Sequence, residues 1–362
     1  PDPVGGGGYG RDDDGEPNGV LYGFAVAASL DVVEPIKNFD YPAGLVRLSR
    51  HWASTGITLL GDAGMGALVP NALDVLQGLS KSGDLKQRLR GYLSISQDAQ
   101  WLEREINGGY GDNRVRVVGF KLSADGSNQA RTGLQRENYL GTVSRGQPYM
   151  AEPALHEYVV EKSRLGFQMA VHGNGDGAID NIISAVSRAK ADGVELIRPR
   201  IEHCSIVQDD QLIRLKELGI SCSFLIGHVR LWGSAFRKTV FGQEKAEKLD
   251  RTGSFERLGV PYTLHSDAAV TKFTPLEMVE IAVRRELFSE PGYVLAPSER
   301  ASREQALRGV TSTAAWQLMS EQEVGSLEVG KLADFVVLDG RTRVLPGRRP
   351  TSSGIRPYYI TS

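Results

Sequence analysis

Gln168-Met-Ala-Val-His172-Gly-Asn-Gly-Asp-Gly177 is the stretch whose reading decides the fold. It begins as a short apolar strand that ends in a histidine, passes through a Gly-rich turn and continues as an amphipathic helix. Ile179, Ile182, Ile183 and Val186 recur at i, i+3, i+4 and i+7, so that helix has one apolar face. A histidine at the C-terminal lip of such a strand is well placed for chemistry, because α/β folds bind their ligands there. The same pattern returns twice. Arg198-Pro-Arg-Ile201-Glu-His203 ends a strand in histidine, and Val260-Pro-Tyr-Thr-Leu-His-Ser-Asp267 ends one in aspartate.

Working outward, helix and strand alternate from Tyr41 to about residue 270. Residues 41–54 form a helix with Leu45, Leu48 and Trp52 on one face. Strands are predicted at 56–60, 91–96, 115–122, 168–172, 198–203, 220–225 and 260–265, with helices such as Gln208–Leu218 between them. Repeated β-α units of this kind imply a parallel sheet, and their number points to a (β/α)8 barrel, with a doubly wound sheet as the alternative. Seven strands is one short of closure. Thr274-Pro275-Leu-Glu277 and Ser302-Arg-Glu-Gln305 mark two later helix starts. Gly325 to Asp339 reads as a turn and a β-strand, part of a small β appendage. Residues 1–19 read as a loop or hairpin, and the expected division is a turn-rich N-terminal segment or insert over 1–40, a barrel over 41–318 and the C-terminal part of a β-sandwich over 319–362.

Composition narrows the function classes. The chain has 362 residues, 41% hydrophobic and 24% charged, with a formal net charge of −2, which gives no electrostatic case for nucleic acid or an anionic membrane. No run of about 18 apolar residues suggests a membrane span. The two cysteines, Cys204 and Cys222, cannot build a disulfide scaffold and suit a reducing, cytoplasmic compartment or simple burial. The expected partner is a small-molecule substrate, with a homo-oligomer left open.

The candidate site comprises Lys121, His172, His203 and Asp267, each at a predicted strand end. A single buried histidine is usually structural, but two histidines and an aspartate on successive strand tips suit Zn²⁺ or a similar divalent ion. Asp125 and Asp176 are read as loop organisers. His265, two residues before Asp267 on the same strand side, is read as packing or as support for the site. His228 follows the strand predicted at 220–225, where reaching substrate and a structural role are both open. Asp12-Asp13-Asp14-Gly15 fails the calcium-loop spacing and is a solvated turn. Gly173-Asn-Gly175-Asp-Gly177 has the spacing G-x-G-x-G, which does not match the dinucleotide fingerprint.

The ordered set Lys121, His172, Ile-Glu-His203, Ser-Asp267 and Gly325-Ser-Leu-Glu-Val-Gly-Lys-Leu-Ala-Asp334 resembles the amidohydrolase superfamily. Within it, Gly119-Phe-Lys121-Leu-Ser-Ala-Asp125-Gly126-Ser127 and His172-Gly-Asn-Gly-Asp176 resemble the amidohydrolase-3 group, which includes N-substituted formamide deformylases. The resemblance implies a (β/α)8 barrel whose strands 4, 5, 6 and 8 carry Lys121, His172, His203 and Asp267. It also implies one or two divalent ions, Zn²⁺ foremost, with Lys121 carbamylated to a bridging carboxylate. The implied reaction is hydrolysis of an amide-like or cyclic amide C–N bond by a metal-activated hydroxide. Asp267 would carry the proton and His228 would help to stabilise the oxyanion. The group's first strand ends in His-x-His, and no two of the six histidines here are separated by one residue. The expectation is therefore a preceding segment, in the same precursor or an associated chain, that supplies that strand. The alternative is a catalytically impaired or regulatory protein that keeps the fold.

Overall fold

The computed structural model describes residues 7–23, 25–26 and 39–338. An antiparallel hairpin, β1 (Gly7–Arg11) and β2 (Pro17–Gly23), precedes everything else. Its turn is organised by Asp12, whose Oδ1 accepts from the backbone N–H groups of Asp14 and Glu16, so the acidic cluster is a local turn as expected. Helix α1 (Tyr41–Ser54) starts where the sequence predicts, because the Asp40 carboxylate accepts from Ala43 N and Pro42 occupies the first turn. Its buried face is rotated from the predicted one. Leu45, Ser49 and Ala53 are buried while Leu48 is exposed, since the Ser49 hydroxyl is drawn inward to bond Gln87 Oε1 and Lys86 N.

Seven parallel strands follow: β3 (Leu59–Met65), β4 (Arg88–Ser94), β5 (Val115–Ser123), β6 (Gln168–Gly173), β7 (Arg200–His203), β8 (Ser221–Leu225) and β9 (Tyr262–His265). They pair strictly in sequence order from β3 to β9. A doubly wound sheet needs a point where the order reverses, and none exists among the described residues. Right-handed crossovers without a reversal put every helix on one face, and the sheet curls around the other as an incomplete barrel. The strand expected at 56–60 begins three residues later and runs to Met65. Gly56 sits at φ +85 in the turn that ends α1, and the polar Gly61-Asp-Ala-Gly64 half of β3 hid its continuation. Among the described residues β3 and β9 are the two edges of this sheet.

The two faces have different chemistry. Outward residues such as Val117, Phe120, Met169, Val171, Ile201 and Phe224 merge with the helices into one large core. Helix α2 (Asp176–Ala191) delivers Ile179, Ile182, Ile183 and Val186 to that core, as its periodicity requires. Removing four such side chains from water stabilises the fold by roughly 1.5–3 kcal/mol each. The inward face is narrower and polar. Tyr92, Val118 and Ala170 pack on Leu318, which follows helix α3 (Ser312–Gln317) and closes the bottom of the barrel. There Gln317 Nε2 donates to Ser221 Oγ at 2.9 Å, and Arg200 Nη1 donates to Tyr92 Oη at 3.0 Å.

Residues 325–338 form turns and an unpaired stretch, so the expected tail strand is absent among the described residues, and Asp339 lies outside them. A strand exists only as part of a ladder. The backbone bonds of this stretch are local, such as Lys331 N to Glu328 O and Leu332 N to Glu323 O. No helix of the described residues is long and apolar enough to cross a membrane.

Gly175 tests the close approach on which the His172 turn depends. A Cβ there would lie 1.9 Å from the Leu134 carbonyl oxygen, so Gly175→Ala must push two backbone segments apart. Overpacking of this kind typically costs about 1–3 kcal/mol, and the urea midpoint of Gly175→Ala should fall accordingly. An unchanged midpoint would contradict the packing described here.

Candidate metal centre

The register fixes which predicted residues can meet. Lys121 pairs with Ala170, Ser123 with His172, His172 with Glu202, Glu202 with Ser223, and Leu225 with His265. Neighbours in register in a parallel sheet point to the same face. Lys121, His172, Glu202 and His265 are thereby directed into the barrel. Strict alternation would turn His203, next to Glu202, toward the helices. Instead the backbone enters the left-handed region at His203 (φ +67) and again at Cys204 (φ +50). This carries the His203 ring to 4.4 Å from that of His172 and 5.1 Å from that of His265. Left-handed backbone at two non-glycine residues costs on the order of 1–3 kcal/mol each, and such strain concentrates at functional sites.

His172 is held by its surroundings. Nε2 donates to Gly126 O at 2.9 Å, leaving Nδ1 with the ring's lone pair. Asp125 builds the loop behind it. Its carboxylate accepts from Asn174 N, Gly175 N and Leu134 N, which matches the role expected of it, and burial pushes its pKa up to about 7. Asp176 likewise staples loops, accepting from Arg136 N and Gln208 Nε2 and pairing with Lys245. His203 Nδ1 lies 3.2 Å from His265 Nε2, and His265 Nδ1 lies 2.8 Å from Ser223 Oγ. His265 thus supports the site through His203.

Burial, together with positive neighbours, keeps these rings neutral. It drives the His172 pKa down to about 4, with Lys121 adding to the effect, and holds that of His203 well below the usual imidazole value. Neutral imidazole is the form that ligates metals. Lys121 is also held below the usual amine range by burial, partly offset by the negative charges of Glu202 and Asp267. Asp267 lies two residues beyond the end of β9, exposed, at φ +48. Its charge reaches Lys121, His172 and His265.

Two participants were not picked out from the sequence. Glu202 and Arg200 form a buried ion pair inside the barrel, with Nε 2.5 Å from Oε1. Burial opposes the Glu202 charge, but Arg200 and then Lys121 outweigh it and keep the carboxyl below its usual range. The alternation Arg200-Ile-Glu202 carried that signal, overshadowed by the histidine that follows.

His228 sits at the start of the helix Gly227–Ala235 and is only 1% exposed, with Nδ1 3.2 Å from Ser205 Oγ and its ring against those of Trp232 and Phe236. Burial, then the nearby His265 and His172, lower its pKa to about 3. In the unfolded chain the ring protonates near pH 6.5. Stability from His228 is therefore present above pH 6.5 and is lost as pH falls toward 3, because the unfolded chain takes up a proton that the native state refuses. A His228→Gln variant should lose less stability than the wild type between pH 7 and 4 in urea titrations. Parallel losses in the two proteins would contradict this environment.

The donors present suit a divalent ion in kind: two adjacent neutral imidazoles, a carboxylate and a depressed lysine. They do not all converge on one point. No group of three or more His, Cys, Asp or Glu side chains reaches metal-binding proximity among the described residues.

Residues 1–352 match the amidohydrolase family. The chain belongs to that family. It is similar to an N-substituted formamide deformylase of Arthrobacter pascens, 31% identical over 224 residues, which covers 60% of this chain and 41% of the relative. It is also similar to the protein LONG AFTER FAR-RED 3 of Arabidopsis thaliana, 29% identical over 352 residues, covering 93% of this chain and 59% of that protein. Among solved structures, an uncharacterized metal-dependent hydrolase of Pyrococcus furiosus superposes with a TM-score of 0.74 at 28% identity, covering 89% of this amidohydrolase and 64% of that chain. The chain thus spans about two fifths to three fifths of the length of these curated relatives. The curled parallel sheet is that of the family's barrel.

Proposed function

We propose that this amidohydrolase is the major part of a metal-dependent hydrolase that cleaves amide-like C–N bonds. The observation that carries the reading is the His172–His203 pair: two neutral imidazoles from adjacent strand tips, 4.4 Å apart, one of them swung inward by left-handed backbone. His172 and His203 would hold a divalent ion, Zn²⁺ foremost, with Asp267 and, once carbamylated, Lys121 as further ligands when the shell is complete. A depressed amine supports carbamylation, since only the neutral form attacks CO2. Bound there, the ion would supply Lewis acidity toward a carbonyl and water. The chain's own residues hold the geometry: Gly126 O fixes His172, and Ser223 and His265 support His203. Asp267, exposed just beyond β9, would move a proton between water and the leaving amine, and His228, buried and bonded to Ser205, would act on the site through its field. The remaining donors come, on this reading, from a segment carrying His-x-His, in the same polypeptide or an associated chain. The coverage of the relatives, and the position of β3 and β9 as sheet edges among the described residues, support this.

Release of formate from N-substituted formamides, measured on the protein purified together with the segment that carries His-x-His, is the test. The expected result is turnover that disappears on chelation and returns with Zn²⁺. A protein that retains no metal and stays inert after zinc is restored would instead favour a non-catalytic protein that keeps the fold.

A further inference from the structure

The hairpin β1–β2 plays no part in the barrel, yet one wall of a cavity of about 390 Å³ is built from it and the residues just after it. That volume lies within the range of small-molecule sites, about 300–1,000 Å³. The hairpin side contributes Leu21, Tyr22 and Val26, which remain 37%, 37% and 48% exposed. The opposite side is His172 with the loop that follows β5. Gly126 lets that loop fold tightly, since a Cβ there would lie 2.2 Å from Thr132 Oγ1 and 2.7 Å from Tyr149 Oη. The cavity therefore joins one proposed ligand to an apolar wall.

The charge of the lining is as informative as its shape. Among the described residues it contains no lysine, arginine or glutamate. Its one acid, Asp125, is fully buried with both carboxylate oxygens engaged by backbone N–H groups. A charged substituent would lose its water and gain no ionic partner among the described lining residues, whereas an apolar ring would cover three partly exposed apolar side chains. We propose that Leu21, Tyr22 and Val26 form the substituent pocket of the site and select amides whose group beside the scissile C–N bond is uncharged, apolar and of ring size. This deepens the hydrolase reading and rests on it for the word substrate, while the pocket itself can be tested by binding alone.

The probes are N-cyclohexylformamide, N-methylformamide and the cationic N-(2-aminoethyl)formamide, titrated calorimetrically into wild type, Leu21→Ala, Tyr22→Ala and the remote control Val143→Ala. Wild type should bind the cyclohexyl compound at least about tenfold more tightly than the methyl one, with the cation weakest. Leu21→Ala and Tyr22→Ala should each shrink that gap by about tenfold, and Val143→Ala should leave it intact. Circular dichroism confirms that each variant is folded, and the two wall variants are independent of one another. Equal affinity of wild type for the two neutral compounds, or a gap that survives both wall substitutions, overturns the proposal. Turnover is read separately. Selective binding without turnover sinks the hydrolase reading and leaves the pocket standing, and turnover with unchanged discrimination in both wall variants sinks the pocket alone.

Discussion

Replacing His203 with alanine is expected to remove metal retention and hydrolysis together. The loss should exceed the roughly 10–100-fold that partners behind a metal ligand typically contribute, because this ring would itself be a ligand. A purely structural explanation is available and can be separated. His203 lies in the left-handed region, so its removal could act through the backbone. Asparagine enters that region more readily than most residues and is a poorer metal ligand than imidazole. His203→Asn should therefore keep the fold and remain inactive. Recovery of activity in His203→Asn would show that the ring serves the turn and not a metal.

The largest effect on stability is expected at Glu202. Arg200 and Glu202 are 6% and 3% exposed, and their pairing satisfies two charges inside the barrel. Glu202→Gln leaves the Arg200 guanidinium buried without its counter-charge, which costs about 3–5 kcal/mol. The double variant Arg200→Met, Glu202→Gln should recover much of that loss, because it removes the stranded charge as well. Denaturant midpoints of the three proteins decide the matter. Equal losses in the single and double variants would mean that the pair matters for packing and not for charge.

These two residues also show what the sequence could and could not reveal. The strand tips at His172 and His203 were legible because each closes an apolar run before a turn, and the α2 face was legible because four apolar residues repeat at helical spacing. Lys121 was legible through its place in the strand series. Glu202 was not, because a charged residue in a short strand looks exposed until the register with His172 and Ser223 turns it inward. The inward turn of His203 was equally hidden, since alternation alone points it toward the helices and only the φ of +67 reverses that. The polar half of β3 and the unpaired tail from 325 to 338 failed for one reason. Strand formation there depends on partners that a local pattern does not contain.

The ligand shell itself is the most direct test of the claim that His172 and His203 form a metal half-site. X-ray absorption of the zinc-loaded protein should show imidazole nitrogens at about 2.0–2.1 Å from the metal. His172→Ala and His203→Ala should each lose one of them. A shell without imidazole, or one that both substitutions leave unchanged, would contradict the account.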